Sequence, residues 1–190
     1  MYILGDIGNS ETKIFLINSK YKIIRNVNFS SSKINNKILK SKFDSLTKNF
    51  SNIEKILFCS VVPKSFYLIK KFLLKKTKKK CFEVKDLNLE SLINISVNYK
   101  QVGSDRLTNA ISLLDNKNNF IILDFGTATT FDVVIKKSYK GGIIAPGIKI
   151  SLNTLSDKAS LIPKINLKKI KKVIGIDTKT AVRSGFFWGY

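Results

Sequence analysis

One stretch of sequence decides the fold because it occurs twice: YILGDIGNSETKIFLI at residues 2–17 and FIILDFGTATTFDVVI at residues 120–135. Each copy has the pattern of an apolar strand, an Asp-x-Gly turn with small or polar residues, and a second apolar strand. Repetition of one structural unit predicts two related lobes that face each other. We expect these lobes at residues 1–116 and 117–190.

Helix and strand patterns alternate through the rest of the chain. Apolar residues at spacings of 4, 3 and 4 predict a helix over residues 36–50. Short apolar runs at residues 56–62 and 81–84 predict buried strands on either side of a second helical stripe. A glycine-rich stretch at residues 141–147 precedes a helix that we expect to reach residue 162. The alternation predicts an α/β fold with mixed sheets.

Composition removes several classes of site. The chain has no histidine, which excludes histidine bases, Ser-His-Asp triads and imidazole metal ligands. Its two cysteines, Cys59 and Cys81, form no CxxC pair, so a disulfide framework and a zinc ribbon are both disfavoured. No apolar run approaches the ~18–20 residues of a membrane span, and no basic leader precedes the first strand. We therefore expect a cytoplasmic protein without a membrane partner.

The strong positive charge does not by itself indicate a nucleic-acid partner. Lysine and arginine number 34 against 13 acidic residues, a net charge of +21. Only three of those 34 are arginines, the residue that grips guanine and phosphate in bidentate fashion. The lysine runs at residues 75–80 and 168–172 have the pattern of solvated surface, so we expect no specific nucleic-acid partner. A basic nucleic-acid binder with salt-sensitive affinity remains a weaker alternative.

The two Asp-x-Gly turns have the chemistry of phosphate-binding turns. Gly8 and Gly126 lack a Cβ, so an anion can approach the backbone N–H groups closely. Asp6 and Asp124 can hold a hydrated cation that in turn binds phosphate. For either turn alone, an ordinary hairpin is the favoured interpretation. As a pair, the two turns predict a clamp around a polyphosphate, while Walker A and G-x-G-x-x-G loops are absent.

A second candidate site is the sequence GSDR at residues 103–106, which opens a predicted helix with Ser104 as its N-cap. The Asp105 carboxylate could accept the proton of a substrate hydroxyl during phosphoryl transfer. Arg106, a rare arginine in this chain, could hold a substrate carboxylate. The alternative is a capping acid beside a solvated arginine. Gly147, at the end of the glycine-rich stretch, could offer N–H groups to an anion or to ribose hydroxyls at the next helix start. A simple strand–turn–helix junction is an equal alternative.

These motifs, taken in order, resemble those of the type III pantothenate kinases, a family of the acetate and sugar kinase, heat-shock protein and actin superfamily. The resemblance implies two ribonuclease H-like (actin-like ATPase) lobes with mixed sheets flanked by helices. Family members generally continue past the point where this sequence stops, so the second lobe is expected to be incomplete. The matching segments are residues 6–13, the Ser-Val-Val-Pro at 60–63, the GSDR at 103–106, residues 124–132, the glycine-rich stretch at 141–147, Thr178 and residues 184–185.

The resemblance implies ATP-dependent phosphorylation of pantothenate, the first step toward coenzyme A, with Asp105 as the proton acceptor. Magnesium would accompany ATP, and Asp124 would help to bind a monovalent cation, K⁺ or NH4⁺. The enzyme would be a homodimer in which Thr178 reaches the substrate site. The implied ATP-binding residues are Asp6, Ile7, Gly8, Asn9, Ser10, Glu11, Thr12, Lys13 and Thr127. The implied pantothenate-binding residues are Tyr99, Gly103, Ser104, Asp105, Arg106 and Thr178.

Two departures from the family pattern qualify these expectations. The interval between Tyr99 and Gly103 is shorter than the usual one, which weakens the role given to Tyr99. The segment near the adenine that normally comes late in the family has no counterpart in this sequence. A non-catalytic relative that binds nucleotide or acts as a transcription accessory factor is therefore the alternative function.

Overall fold

The computed structural model describes all residues 1–190, which form nine strands and five helices joined by short 3₁₀ turns. The strands are β1 Tyr2–Ile7, β2 Glu11–Ile17, β3 Ile23–Ser30, β4 Lys55–Ser60, β5 Cys81–Glu83, β6 Asn94–Ile95, β7 Asn119–Phe125, β8 Ala128–Ile135 and β9 Ser138–Pro146. The helices are α1 Asn36–Leu46, α2 Pro63–Thr77, α3 Ser104–Ser112, α4 Ile148–Lys158 and α5 Thr178–Gly189. None of the helices is both long and apolar enough to cross a membrane.

The first sheet has five strands in the order β3-β2-β1-β4-β5. β1 pairs with β2 in an antiparallel hairpin and with β4 in parallel, so the sheet is mixed as predicted. The parallel register sets Asp6 opposite Cys59 and Ile7 opposite Ser60. Because parallel strands end at the same edge, the first Asp-x-Gly turn and the end of β4 are neighbours.

The core of this sheet explains why its strands are strongly apolar. Ile3, Ile56 and Phe58 are fully buried beneath α1 and α2, which contribute Phe43 and Ile69 to the same cluster. A Cβ on residue 5 would collide with the Phe58 ring, so the glycine in β1 makes room for that ring. Burial of this kind contributes about 1.5–3 kcal/mol per large apolar side chain.

The second sheet has four strands in the order β6-β9-β8-β7. Its last three strands are consecutive in the chain and lie side by side, as β1, β2 and β3 do in the first sheet. The repeat seen in the sequence is therefore a repeat of the same three-stranded unit. β7 is an edge strand. Its alternate side chains Ile121, Leu123 and Phe125 are 67%, 50% and 58% exposed.

The chain divides into two compact units. The first contains residues 1–120 and 133–141, and the second contains residues 121–132 and 142–190. The predicted lobe boundary between residues 116 and 117 stays a prediction.

Two local predictions, both of helix ends, were wrong. α1 ends at Leu46 because the N–H of Thr47 caps the helix on the Phe43 carbonyl, four residues before the expected end. The glycine-rich stretch continues strand β9 as far as Pro146, and α4 follows it as predicted. α4 ends at Lys158 and does not reach residue 162, since Pro163 disfavours helical backbone before it.

Candidate active site

The first Asp-x-Gly turn is built on the end of β1 and is supported from below by one serine. The Gly8 N–H donates to the Glu11 carbonyl at 3.0 Å and closes the turn. The Ser31 hydroxyl donates to the Gly8 carbonyl at 2.6 Å and lies 2.8 Å from the Thr12 hydroxyl. This support leaves Asn9 and the next residue exposed at the tip.

The predicted ATP-binding residues of this turn separate into two groups. Ile7 and Thr12 are fully buried, and the Thr12 hydroxyl is used by Ser31. Asn9, Glu11 and Lys13 are exposed, with the Lys13 Nζ 3.9 Å from a Glu11 carboxylate oxygen. The exposed group is the one that can meet a phosphate directly, while the buried residues hold the turn in shape.

Asp6 has a partner that sequence reasoning missed. The Cys59 thiol donates to the Asp6 carboxylate across the parallel β1–β4 pair, with Sγ 3.4 Å from Oδ1. Burial first, and then the negative charges of Asp6, Asp105 and Glu83, raise the pKa of Cys59 well above its ordinary value. The thiol therefore stays protonated and serves as a donor. The residue after Cys59 is hydrogen-bonded to Ser104, so the structure brings Asp6 close to the helix start that carries the predicted base Asp105.

The GSDR motif opens α3, with Gly103 as the N-cap and Ser104 as the first helical residue. The sequence prediction of Ser104 as N-cap was therefore wrong by one position. The Asp105 carboxylate accepts the N–H of Arg106 at 2.8 Å, which folds it back over the helix start. A Cβ on residue 103 would collide with that carboxylate. Glycine at residue 103 therefore leaves the Asp105 carboxylate in this position, from which a larger residue would displace it.

Ser104 lies deeper than its predicted role implies. It is 1% exposed, and its hydroxyl accepts the N–H of Ser60 at 2.8 Å while donating to the Ser60 carbonyl at 3.0 Å. The hydroxyl is therefore engaged with the end of β4. Its motif signalled a site, but nothing in the local sequence indicated the long-range partner.

Tyr99 is held by Lys85, another residue that the sequence did not single out. The Tyr99 hydroxyl donates to the Lys85 carbonyl at 2.9 Å, and the Lys85 ammonium lies 4.9 Å from the centre of the ring. The same ammonium donates to the Val102 carbonyl at 3.0 Å, immediately before the GSDR motif. Burial, followed by the charges of Glu83, Asp86 and a further glutamate, raises the pKa of Tyr99. Lys85 thus fixes the loop that leads into α3.

The second Asp-x-Gly turn lies in the second unit, between β7 and β8. Asp124 and Thr127 are both exposed. The Gly147 N–H donates to the Thr127 carbonyl at 3.0 Å, and a Cβ on residue 147 would collide with the carbonyls of Gly126 and Thr127. Residue 147 must therefore be glycine for the start of α4 to pack on the turn. Its N–H is used inside the protein rather than offered to an anion.

A cavity of about 410 Å³ lies beside this second turn. The hydroxyl of Thr129, which is 2% exposed, has no hydrogen-bond partner and borders it. The other lining residues are Phe125, Gly126, Ile148, Lys149, Leu152, Asn153, Ile165, Asn166 and Leu167. Its size suits part of a small-molecule ligand.

Thr178 begins α5 in the second unit, and its side chain is exposed. Asp177 caps this helix by accepting the N–H of Thr180 at 2.8 Å, and this backbone hydrogen bond lowers the pKa of Asp177. Ser184 is buried and donates to the Val173 carbonyl. The cap and the buried serine fix the start of α5 and thereby the position of Thr178.

The chain contains no grouping of three or more His, Cys, Asp or Glu side chains that could enclose a metal ion. A divalent ion that retains most of its water and binds to substrate phosphates needs only one or two carboxylates from the protein. The first turn, with Asp6 at its base, fits that mode of binding.

The fold and the motifs together define the class of protein. Two mixed sheets flanked by helices, each with three consecutive strands and an Asp-x-Gly turn between the first two of them, are the architecture of the actin-like ATPases. The profile of the type III pantothenate kinases matches residues 2–190, and the chain belongs to this family.

Individual relatives agree with this assignment. The chain is 62% identical over all of its 190 residues to a type III pantothenate kinase from Pelagibacter ubique, of which it covers 77%. It is 33% identical to the type III pantothenate kinase from Halalkalibacterium halodurans, again with 77% of that protein covered. A Campylobacter jejuni structure described as a Baf family transcriptional activator shares the fold at a TM-score of 0.56, with 22% identity and coverage of 98% of this chain and 74% of that one.

Family membership establishes the activity expected from the motifs. The chain is an enzyme that phosphorylates pantothenate with ATP in coenzyme A biosynthesis. ATP and pantothenate are its substrates. The family match favours this activity over the non-catalytic and nucleic-acid-binding alternatives.

Proposed function

We propose that Asp105 is the general base that accepts the proton of the primary hydroxyl of pantothenate as that oxygen attacks the γ-phosphorus of ATP. The observation that carries this assignment is the pair of hydrogen bonds between Ser104, the residue before Asp105, and Ser60, the residue after Cys59, whose thiol donates to Asp6. One carboxylate lies at the base of a phosphate-type turn, and the other opens a helix beside it. In-line transfer requires the base and the phosphate site to lie next to each other.

The exposed part of the first turn is proposed to bind the phosphates of ATP. Asn9 and Ser10 supply donors at the tip, Lys13 supplies one from β2, and Asp6 would hold the hydrated Mg²⁺ that accompanies the nucleotide. Ile7, Gly8, Glu11 and Thr12 complete the segment, the buried ones by holding its shape. Thr127 of the second turn is proposed as a further ATP contact because its side chain is exposed.

The start of α3 is proposed to form the pantothenate site. Arg106 is half-buried and suits the carboxylate of pantothenate, since a guanidinium binds carboxylates in bidentate fashion. Gly103 leaves space beside the base, and the Tyr99 ring forms a wall whose orientation is fixed by Lys85. Phosphoryl transfer then depends on positioning and electrostatics, with proton removal at Asp105.

Replacement of the base separates chemistry from binding. We expect Asp105→Asn to lower kcat by about 10²–10⁴-fold, the usual contribution of a general base, with Mg²⁺-ATP affinity nearly unchanged. Turnover is measured as pantothenate-dependent ADP formation and affinity by calorimetry with ATP. Asp44→Asn, at an exposed position of α1, is the matched control. A wild-type kcat in Asp105→Asn would show that Asp105 is not the general base.

A monovalent cation is proposed to bind with the help of Asp124. The carboxylate is exposed at the end of β7, directly before the second turn. A partly hydrated K⁺ or NH4⁺ there would offset charge on the phosphates of ATP.

We expect kcat/KM for ATP to rise at least about tenfold from Na⁺ to K⁺ buffer in the wild type and to lose that response in Asp124→Asn. Initial rates at constant ionic strength measure this effect. Asp115→Asn is the control, because its carboxylate only caps a turn through Lys117 and Asn118. An equal K⁺ response in Asp124→Asn would contradict the assignment.

A homodimer in which Thr178 reaches the substrate site is also proposed. Its support is the exposed hydroxyl at the start of α5 and the aromatic side chains of Phe187 and Trp188 on that helix and of Tyr190 at its C-cap, which are 42%, 54% and 50% exposed. Aromatic side chains are enriched at interfaces between subunits.

The dimer makes a direct prediction of mass. Sedimentation equilibrium should give twice the 21.5 kDa of the chain at micromolar concentration, and Trp188→Lys should shift the equilibrium toward the monomer. Tyr67→Lys, an exposed aromatic position on α2, should leave the mass unchanged. A wild-type protein that sediments at 21.5 kDa would refute the dimer.

A further inference from the structure

At the end of β4, the backbone on the side that faces β5 has no neighbouring strand with which to form hydrogen bonds. β5 pairs with β4 only as far as Phe58, opposite Glu83. On its other side β4 continues to pair with β1 through Ser60 and Val61, whose N–H donates to the Ile7 carbonyl at 3.1 Å. The N–H and C=O of Ser60 on the β5 side therefore need another partner, since unpaired backbone groups at a half-buried position are costly.

The Ser104 side chain supplies that partner. One hydroxyl both accepts the Ser60 N–H at 2.8 Å and donates to the Ser60 carbonyl at 3.0 Å. A side chain thus takes the place that a further strand residue would occupy in the sheet. Glu83 adds a longer contact to the same N–H at 3.3 Å.

This pairing fixes the position of the start of α3. Ser104 is the first residue of α3, and the next residue is Asp105. The residue before Ser60 is Cys59, which donates to Asp6 of the phosphate turn. A chain of three contacts therefore runs from the Asp6 carboxylate through the end of β4 to the helix that carries Asp105.

We propose that Ser104 is a positioning residue for phosphoryl transfer, whose hydroxyl holds the base-bearing helix against the end of β4. It acts on the base rather than on pantothenate. This inference rests on the proposed role of Asp105. It departs from the sequence-based expectation that Ser104 contacts the substrate, because a hydroxyl that is 1% exposed and doubly bonded to Ser60 is not offered to a ligand.

The test compares Ser104→Ala with Ser112→Ala. Ser112 is the matched control because it lies on the same helix and its hydroxyl bonds only within it, to the Asn109 carbonyl. Displacement of a catalytic group by about 1 Å costs up to about 10²-fold in rate. We expect Ser104→Ala to lower kcat about 10- to 100-fold with less than a threefold change in KM for pantothenate. Ser112→Ala should retain the wild-type values.

A second measurement needs no turnover. Without the Ser104 hydroxyl the end of β4 opens more often, so Cys59 should react with iodoacetamide at least about fivefold faster in Ser104→Ala. The other cysteine, Cys81, is 1% exposed and serves as an internal reference within the same sample. Its alkylation rate should not change, and peptide mass spectrometry resolves the two sites.

The outcomes are distinct. A rise in KM for pantothenate at constant kcat would overturn the proposal in favour of a substrate contact. Equal acceleration at Cys59 and Cys81 would overturn it in favour of a general loss of stability. Faster Cys59 alkylation with unchanged kcat would also overturn it. None of these results decides the identity of the base, which depends on Asp105→Asn alone.

Discussion

The parallel pairing of β1 with β4 is the constraint on which the first unit depends. Its register sets Asp6 opposite Cys59 and Ile7 opposite Ser60, so the phosphate turn and the end of β4 form one edge of the sheet. The phosphate turn lies at that edge, and the helix that carries the proposed base is hydrogen-bonded to it. The Asp6 carboxylate accepts a hydrogen bond from the Cys59 thiol. The Ser60 N–H donates to the hydroxyl of Ser104, the residue before Asp105.

Elements with a strong local signal could be predicted from the sequence. The strands around both Asp-x-Gly turns were confirmed, because alternating apolar runs interrupted by glycine have few other solutions. The start of α3 was predicted to within one residue, since a small residue before an acid is typical of a helix N-terminus. The predicted ends of α1 and α4 were wrong, because the last residue of a helix depends on which carbonyls are capped and on where a proline follows.

The finer structure of the site could not be predicted, because it consists of contacts between residues far apart in the chain. Ser104 and Ser60 are separated by 44 positions, and Cys59 and Asp6 by 53. No feature of the sequence distinguishes Lys85 from the other lysines, yet in the structure its ammonium lies over the Tyr99 ring. Thr12 fits a phosphate motif by type, yet its hydroxyl is used by Ser31. Residue type indicated the chemistry, whereas register and burial decide which side chains are available for it.

The most direct test of this account concerns Asp6, where the phosphate turn joins the sheet edge. Initial rates of ADP formation by Asp6→Asn are measured over a range of Mg²⁺ at fixed ATP and saturating pantothenate, and in a second series over a range of pantothenate at saturating Mg²⁺. The first series reports whether this carboxylate serves metal-bound ATP. If Asp6 serves metal-bound ATP, the Mg²⁺ concentration for half-maximal rate rises at least about tenfold, while KM for pantothenate stays within a factor of two. A wild-type Mg²⁺ dependence in Asp6→Asn would contradict it.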